Sequence, residues 1–285
     1  MPLDQYDLVL CTGTAQQVPF LERLTPARAA GYKGVSIQPH EHAQLRAAGS
    51  SDQEVRSRVA DAGLAIAELD AITTWLPGHA PPASFPTELA QMLRGHTPER
   101  LVPIAASLGA RSLTVVEFYG AKVSIDDAAE AFAGICDLAA LQGLLVQLEF
   151  LPWAGIPDLR SGAEIVRRAG RSNGGLLIDS WHLFRSGSTL EELARIPGES
   201  VLGVQLNDAP ERAEADLSDE TQHRRLLPGQ GSFDLVGLLR TLDRIGSRAP
   251  LGVEIFSDAL AAQPIEAIAR SSADATRRIV AAARS

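Results

Sequence analysis

Four short aliphatic runs in the second half of the chain each stop at a side chain able to bind a metal ion. They are residues 144–148 before Glu149, 175–178 before Asp179, 201–204 before Gln205 and 251–253 before Glu254. Each run is mostly Leu, Val, Ile and Gly and is bounded by turn residues, the pattern of a strand buried on both faces of a parallel sheet. The segments between them are long enough for right-handed helical crossovers. When such units close into a barrel, the C-terminal ends of all strands meet on one face. Four oxygen donors that are distant in sequence then converge. Three carboxylates aimed at one point repel strongly unless a cation lies between them. The pattern therefore predicts a divalent-metal site with Glu149, Asp179, Gln205 and Glu254 as ligands.

The first half of the chain supplies the rest of the count. Strands are expected at 7–11, 34–37, 64–69 and 112–116, and helices at 20–30, 52–62, 98–108 and 124–141. Further helices are expected at 158–169, 189–194, 233–245 and 264–283. Gly31, Gly63 and Gly109 follow three of the helices, where a left-handed residue ends a helix readily. Two stretches, 71–87 and 207–232, read as long loops, and loops of that length usually serve a function. Eight strands alternating with helices predict an α/β fold, the (β/α)8 TIM barrel, with 1–285 as a single domain. An open doubly wound sheet is the alternative, but no G-x-G-x-x-G turn follows the first strand.

Formal net charge is −9. Phosphate backbones and anionic membrane surfaces call for clustered basic residues, so neither nucleic acid nor membrane is expected as a partner. No apolar run approaches the roughly 20 residues that span a bilayer. The first residues lack the basic and apolar regions of a signal peptide, and a cytoplasmic location is expected. Cys11 and Cys136 both sit in apolar runs and read as buried free thiols. The expected partner is a small polyhydroxylated substrate; association into a homo-oligomer stays open.

The donor set is rich in hard oxygen, which suits Mn²⁺ or Mg²⁺, with Co²⁺ a third candidate, better than structural Zn²⁺. Such an ion polarises a carbonyl and lowers the cost of removing the neighbouring proton. Glu149 and Glu254 are expected to flank the substrate and to act as proton shuttles as well as ligands. A single strand-end acid is often only a helix cap; four consecutive strands ending this way argue for a shared guest.

His182, three residues after Asp179, is expected to contact a substrate oxygen or to make a further contact near the ion, or else to be buried against Trp181. Arg225, held near the Pro228–Gly229 turn, is expected to clamp a substrate hydroxyl, carboxylate or phosphate, or else to lie in a solvated basic loop. His40 and His42 could reach the mouth or serve a loop or helix cap. Trp75 and Trp153 read as core or as cavity wall. Glu68, Asp70 and Glu117 close the third and fourth strands, and one of them could touch substrate. Neither a G-x-S-x-G elbow nor a P-loop occurs.

At Val146–Trp153, Leu177–His182, Gly203–Asp208, Leu227–Gly231 and Gly252–Glu254 the chain resembles the xylose isomerase-like TIM-barrel superfamily of sugar phosphate isomerases and epimerases. In its ketose 3-epimerases a Glu, an Asp, a His and a Glu at successive strand ends bind Mn²⁺ or a similar ion. The two Glu ligands exchange a proton with substrate through an enediolate. The resemblance maps these positions onto Glu149, Asp179, Gln205 and Glu254, and the substrate-binding His and Arg onto His182 and Arg225. Gln205 departs from the epimerase His and is similar to the 3-dehydroshikimate dehydratases of the superfamily. The resemblance implies proton removal alpha to a carbonyl. Reprotonation elsewhere makes an isomerase or epimerase, the favoured outcome; loss of a β-hydroxyl makes a dehydratase (lyase). DNA-repair endonucleases share the barrel but use several His ligands and basic loops, whereas this chain has six His in total. A sugar-binding barrel without activity is the remaining alternative.

Overall fold

Eight strands pair in parallel, each with the next in sequence, and the last closes on the first. The structure, a computed structural model, describes residues 3–285. The strands are β1 Leu8–Leu10, β2 Gly34–Ile37, β3 Ala65–Ile72, β4 Ser112–Val116, β5 Leu145–Glu149, β6 Gly174–Asp179, β7 Val201–Leu206 and β8 Leu251–Val253. This is the (β/α)8 barrel expected from the alternation of aliphatic runs with helical segments. Most strand positions are buried on both faces, because outward side chains pack under the helices and inward ones fill the barrel.

The crossover helices form where caps and apolar spacing agree. Leu159–Ala169 shows the logic. Asp158 accepts from the Ser161 amide at its start, and Gly170, with φ of 62°, turns the chain out of the helix at its end. Leu159, Ile165, Val166 and Ala169 lie on its buried side. Their spacing makes one stripe, which packs on the sheet.

Helices also form in stretches to which the sequence assigned none. Pro39–Ala47 carries His40 and His42. It has no apolar stripe to betray it; Gln38 and Glu41 form a capping box and Pro39 occupies the first turn. Thr87–Arg94 interrupts the long stretch after β3, which itself runs on to Ile72. Leu217–His223 interrupts the stretch after β7, with the Asp216 carboxylate capping its first turn. Cys11 and Cys136 are free and buried, as expected. Among the described residues, no helix is long and apolar enough to cross a membrane.

Candidate active site at the C-terminal mouth of the barrel

Strand register places the predicted ligands side by side. Asp179 pairs with Gln205 across β6 and β7, and Gln205 pairs with Gly252 across β7 and β8, one residue short of Val253 and two short of Glu254. Glu149 ends β5, opposite Val116 of β4. All four residues are at most 9% exposed. A cavity of about 500 Å³ opens above them, lined by Glu149, His182, Arg225, Glu254, Asp70 and Trp153 among others.

Glu149, Asp179 and His182 bring one donor atom each within 4.8 Å of one another. The local chain explains why His182 joins them. Asp179 caps the helix Ser180–Arg185, its Oδ1 accepting from the His182 amide at 3.0 Å. That first turn carries the imidazole back over the mouth, with Nε2 3.5 Å from Glu149 Oε1. The ring stands edge-on to Trp153 and Trp181. Burial, with the Arg225 charge adding to it against the pull of Asp179, lowers the His182 pKa to about 3, so the imidazole is neutral. Its Nδ1 is buried without a partner. Asp179 is thus both a helix cap and a site residue, two roles that the sequence posed as alternatives.

Arg225 lies in the site but not as a free clamp. It is 2% exposed. Its Nη1 donates to Asp179 Oδ2 at 2.9 Å and reaches Glu254 Oε2 at 3.4 Å. Nε and Nη2 donate to Thr221, and Nη2 stands 3.4 Å from His182 Nε2. Glu254 is therefore joined to the group through Arg225. Asn207, which the sequence did not single out, donates from Nδ2 to Asp179 Oδ2 at 2.9 Å and is itself held by Ser180. The Gln205-Leu206-Asn207-Asp208 run was its only signal.

The carboxyls share one electrostatic problem. Burial first, and then the neighbouring Asp70, Glu254 and Asp179 charges, push the Glu149 pKa well above the usual range. Burial also pushes Glu254 up, partly offset by Arg225. Burial and the Glu68 charge raise Asp70 to about 7. One guanidinium is too little positive charge for this group when every member is ionised. The Gln205 amide gives the test of fit for a cation. Its Nε2 donates to Glu68 Oε1 at 3.3 Å, while its Oε1 is buried with no partner. A spare amide oxygen on the strand beside Asp179, together with the Glu149, Asp179 and His182 cluster, is a donor set that suits a divalent ion. Glu149, Asp179, Gln205 and His182 or Glu254 would hold it.

The other candidates divide. His40, Asp70 and Trp153 line the cavity. His42 turns away to Asp52, at 2.9 Å. Trp75 is core, its Nε1 donating to the Val116 carbonyl at 3.0 Å. Glu117 organises loops, accepting from the Tyr119, Gly120 and Gly155 amides. Arg224 pairs with Asp219 and Glu214.

The sequence model of the xylose isomerase-like TIM barrel family matches residues 24–279. A 3-dehydroshikimate dehydratase of Pseudomonas aeruginosa is 32% identical over 249 residues, 86% of this chain and 37% of that protein. The chain thus spans well under half the length of that relative. An inosose isomerase of Bacillus velezensis is 32% identical over 130 residues, 45% of each chain. Among solved structures, the IolI protein with a bound zinc atom superposes with a TM-score of 0.83 at 19% identity, covering 96% of this chain and 98% of that one.

Proposed function

The chain belongs to the xylose isomerase-like TIM barrel family, and on that premise we propose that it is a divalent-metal-dependent lyase acting on a small polyhydroxylated cyclic ketone. The reaction type is that of the 3-dehydroshikimate dehydratases. The observation that carries this reading is the Gln205 amide, anchored through nitrogen and unpartnered at oxygen, in strand register with Asp179, whose carboxylate clusters with Glu149 and His182. A bound Mn²⁺ or Mg²⁺ would polarise the ketone. The His182 nitrogen also admits Co²⁺ or Zn²⁺.

The protein's own groups do the rest. Glu149 and Glu254 are buried carboxyls that line the cavity, and a bound cation would keep them ionised and so able to accept a proton from a C–H. One of them takes the proton alpha to the ketone. The β-hydroxyl then leaves as water, taking up one proton, and a C=C bond remains in the ring. The neutral His182 holds a substrate oxygen, and Trp153 walls the cavity. Arg225 keeps Asp179 and Glu254 apart and oriented.

Lyase chemistry is placed ahead of isomerisation for two reasons. Gln stands at 205 where the ketose epimerases carry His, and the dehydratase likeness spans about twice as much of the chain as the inosose isomerase likeness at equal identity. The isomerase reading rests on the two facing carboxyls, which could return the proton to a second carbon. The test is metal-stripped protein, reloaded with Mn²⁺ in D₂O and given 3-dehydroshikimate, inososes and ketoses in turn. Water loss from the first substrate is expected. Deuterium exchange without water loss on an inosose would select the isomerase, and no reaction on any of them sinks both.

A further inference from the structure

The barrel interior below the mouth contains a carboxylate with no cationic partner among its hydrogen bonds. Glu68 comes from β3, on the far side of the barrel from β7, and is 6% exposed. Both of its oxygens accept from side-chain amides. Oε1 accepts from Gln205 Nε2 at 3.3 Å, and Oε2 accepts from Gln147 Nε2. Gln147 Nε2 also reaches Thr114 Oγ1 at 3.1 Å, and the Cys11 thiol lies 3.7 Å from Glu68 Oε1. The two amide oxygens, Gln147 Oε1 and Gln205 Oε1, are left without partners.

An amide presents a donor end and an acceptor end, and the two are nearly isosteric. A carboxylate accepts only. Placed against Gln205, it selects the NH₂ end and excludes the oxygen. A side chain at 68 with both a donor and an acceptor would remove that selection, because it could pair with either end. We propose that Glu68 is a positioning residue, fixing the Gln205 side-chain amide with its oxygen presented as a metal donor. The proposal rests on the metal-dependent reading above. It differs from a packing role, because it depends on which atom of Gln205 faces Glu68 and not on the space filled.

The test is metal affinity, read by competition with a chromogenic chelator and by the visible absorption of bound Co²⁺. Glu68→Gln keeps the shape and lets the Gln205 amide turn over. It is expected to weaken Co²⁺ and Mn²⁺ binding by about 10–100-fold, the usual effect of removing an outer-shell partner. The double variant Glu68→Gln/Gln205→Glu restores the logic in reverse. Residue 205 then has oxygen at both ends, and the new amide at 68 can donate to one of them. Because a carboxylate at 205 binds a cation more strongly by charge alone, Gln205→Glu is measured beside it: the E68Q change is expected to cost affinity in the wild-type background and none in the Gln205→Glu background, which a packing role would not produce. If E68Q does not fold, Glu68→Asp, too short to hold the amide, replaces it and is expected to weaken binding in the same direction. Unchanged affinity in the single variant, or an equal loss from E68Q in the Gln205→Glu background, overturns the assignment of Glu68 alone. Wild-type protein that takes up no ion overturns the metal reading and this proposal with it.

Discussion

Arg225 Nη1 lies 2.9 Å from Asp179 Oδ2, and both side chains are out of solvent. Asp179 ends β6 and Arg225 follows the helix Leu217–His223, so this pair fastens the stretch after β7 to the barrel mouth. Further contacts hold the guanidinium, among them Thr221, the Glu254 carboxylate and the face of Phe256, 5.1 Å from its centroid. The cation is a structural part of the site before any substrate arrives.

Arg225→Ala is expected to leave Asp179 and Glu254 buried without this counter-charge. Loss of one partner from a buried pair costs about 3–5 kcal/mol. Urea unfolding of metal-free protein checks this, and added Mn²⁺ should recover part of the loss. Arg225→Lys keeps the charge but cannot serve Asp179 and Thr221 together, and should fall between the two.

Glu149→Gln is expected to lower turnover by at least about 10²-fold, the scale of a lost general base. The readout is the loss of substrate deuterium exchange in D₂O. Full exchange in this variant would move the proton work to Glu254 or His182.

Metal-free protein should lose stability as pH rises. Asp70 is raised to about 7 by burial and by Glu68, above its unfolded value of about 3.9. The folded state then binds more protons than the unfolded state between those values, so stability is full below the lower one and declines until the higher one is passed. Glu149 and Glu254, shifted the same way, add to the decline. Thermal unfolding from pH 5 to pH 8 should show a falling Tm without metal. Added Mn²⁺ should flatten the fall, because cation binding favours the ionised carboxyls.

Gly252→Ala should disturb the site through packing alone. A Cβ there would stand 2.9 Å from Cys11 Sγ and 3.0 Å from both Gln205 Cγ and the Val204 carbonyl oxygen. Overpacking of this kind costs about 1–3 kcal/mol. The expected signature is lower metal affinity together with a lower Tm, and an unchanged affinity would place the adjustment at Cys11 instead of Gln205.

The barrel and the four buried polar residues at its strand ends were legible in the sequence because the alternation of aliphatic runs with helical segments is regular. Short aliphatic runs between helical segments specify parallel strands, and closure puts their ends on one face whatever the loops do. Glu149, Asp179, Gln205 and Glu254 could be named for that reason alone. Tertiary structure decided the atoms between them. Glu68 read as a strand-end acid that could touch substrate and Gln147 as an ordinary strand residue; only the crossing of the barrel interior joins Glu68 to Gln205 and Gln147 to Glu68. His182 and Arg225 read as substrate contacts, yet the cap at Asp179 and the seat at Thr221 turn both toward the carboxylates. Strand order depends on local pattern, while charge pairing in a buried cavity depends on which side chains from distant strands meet, and no spacing along the chain records that.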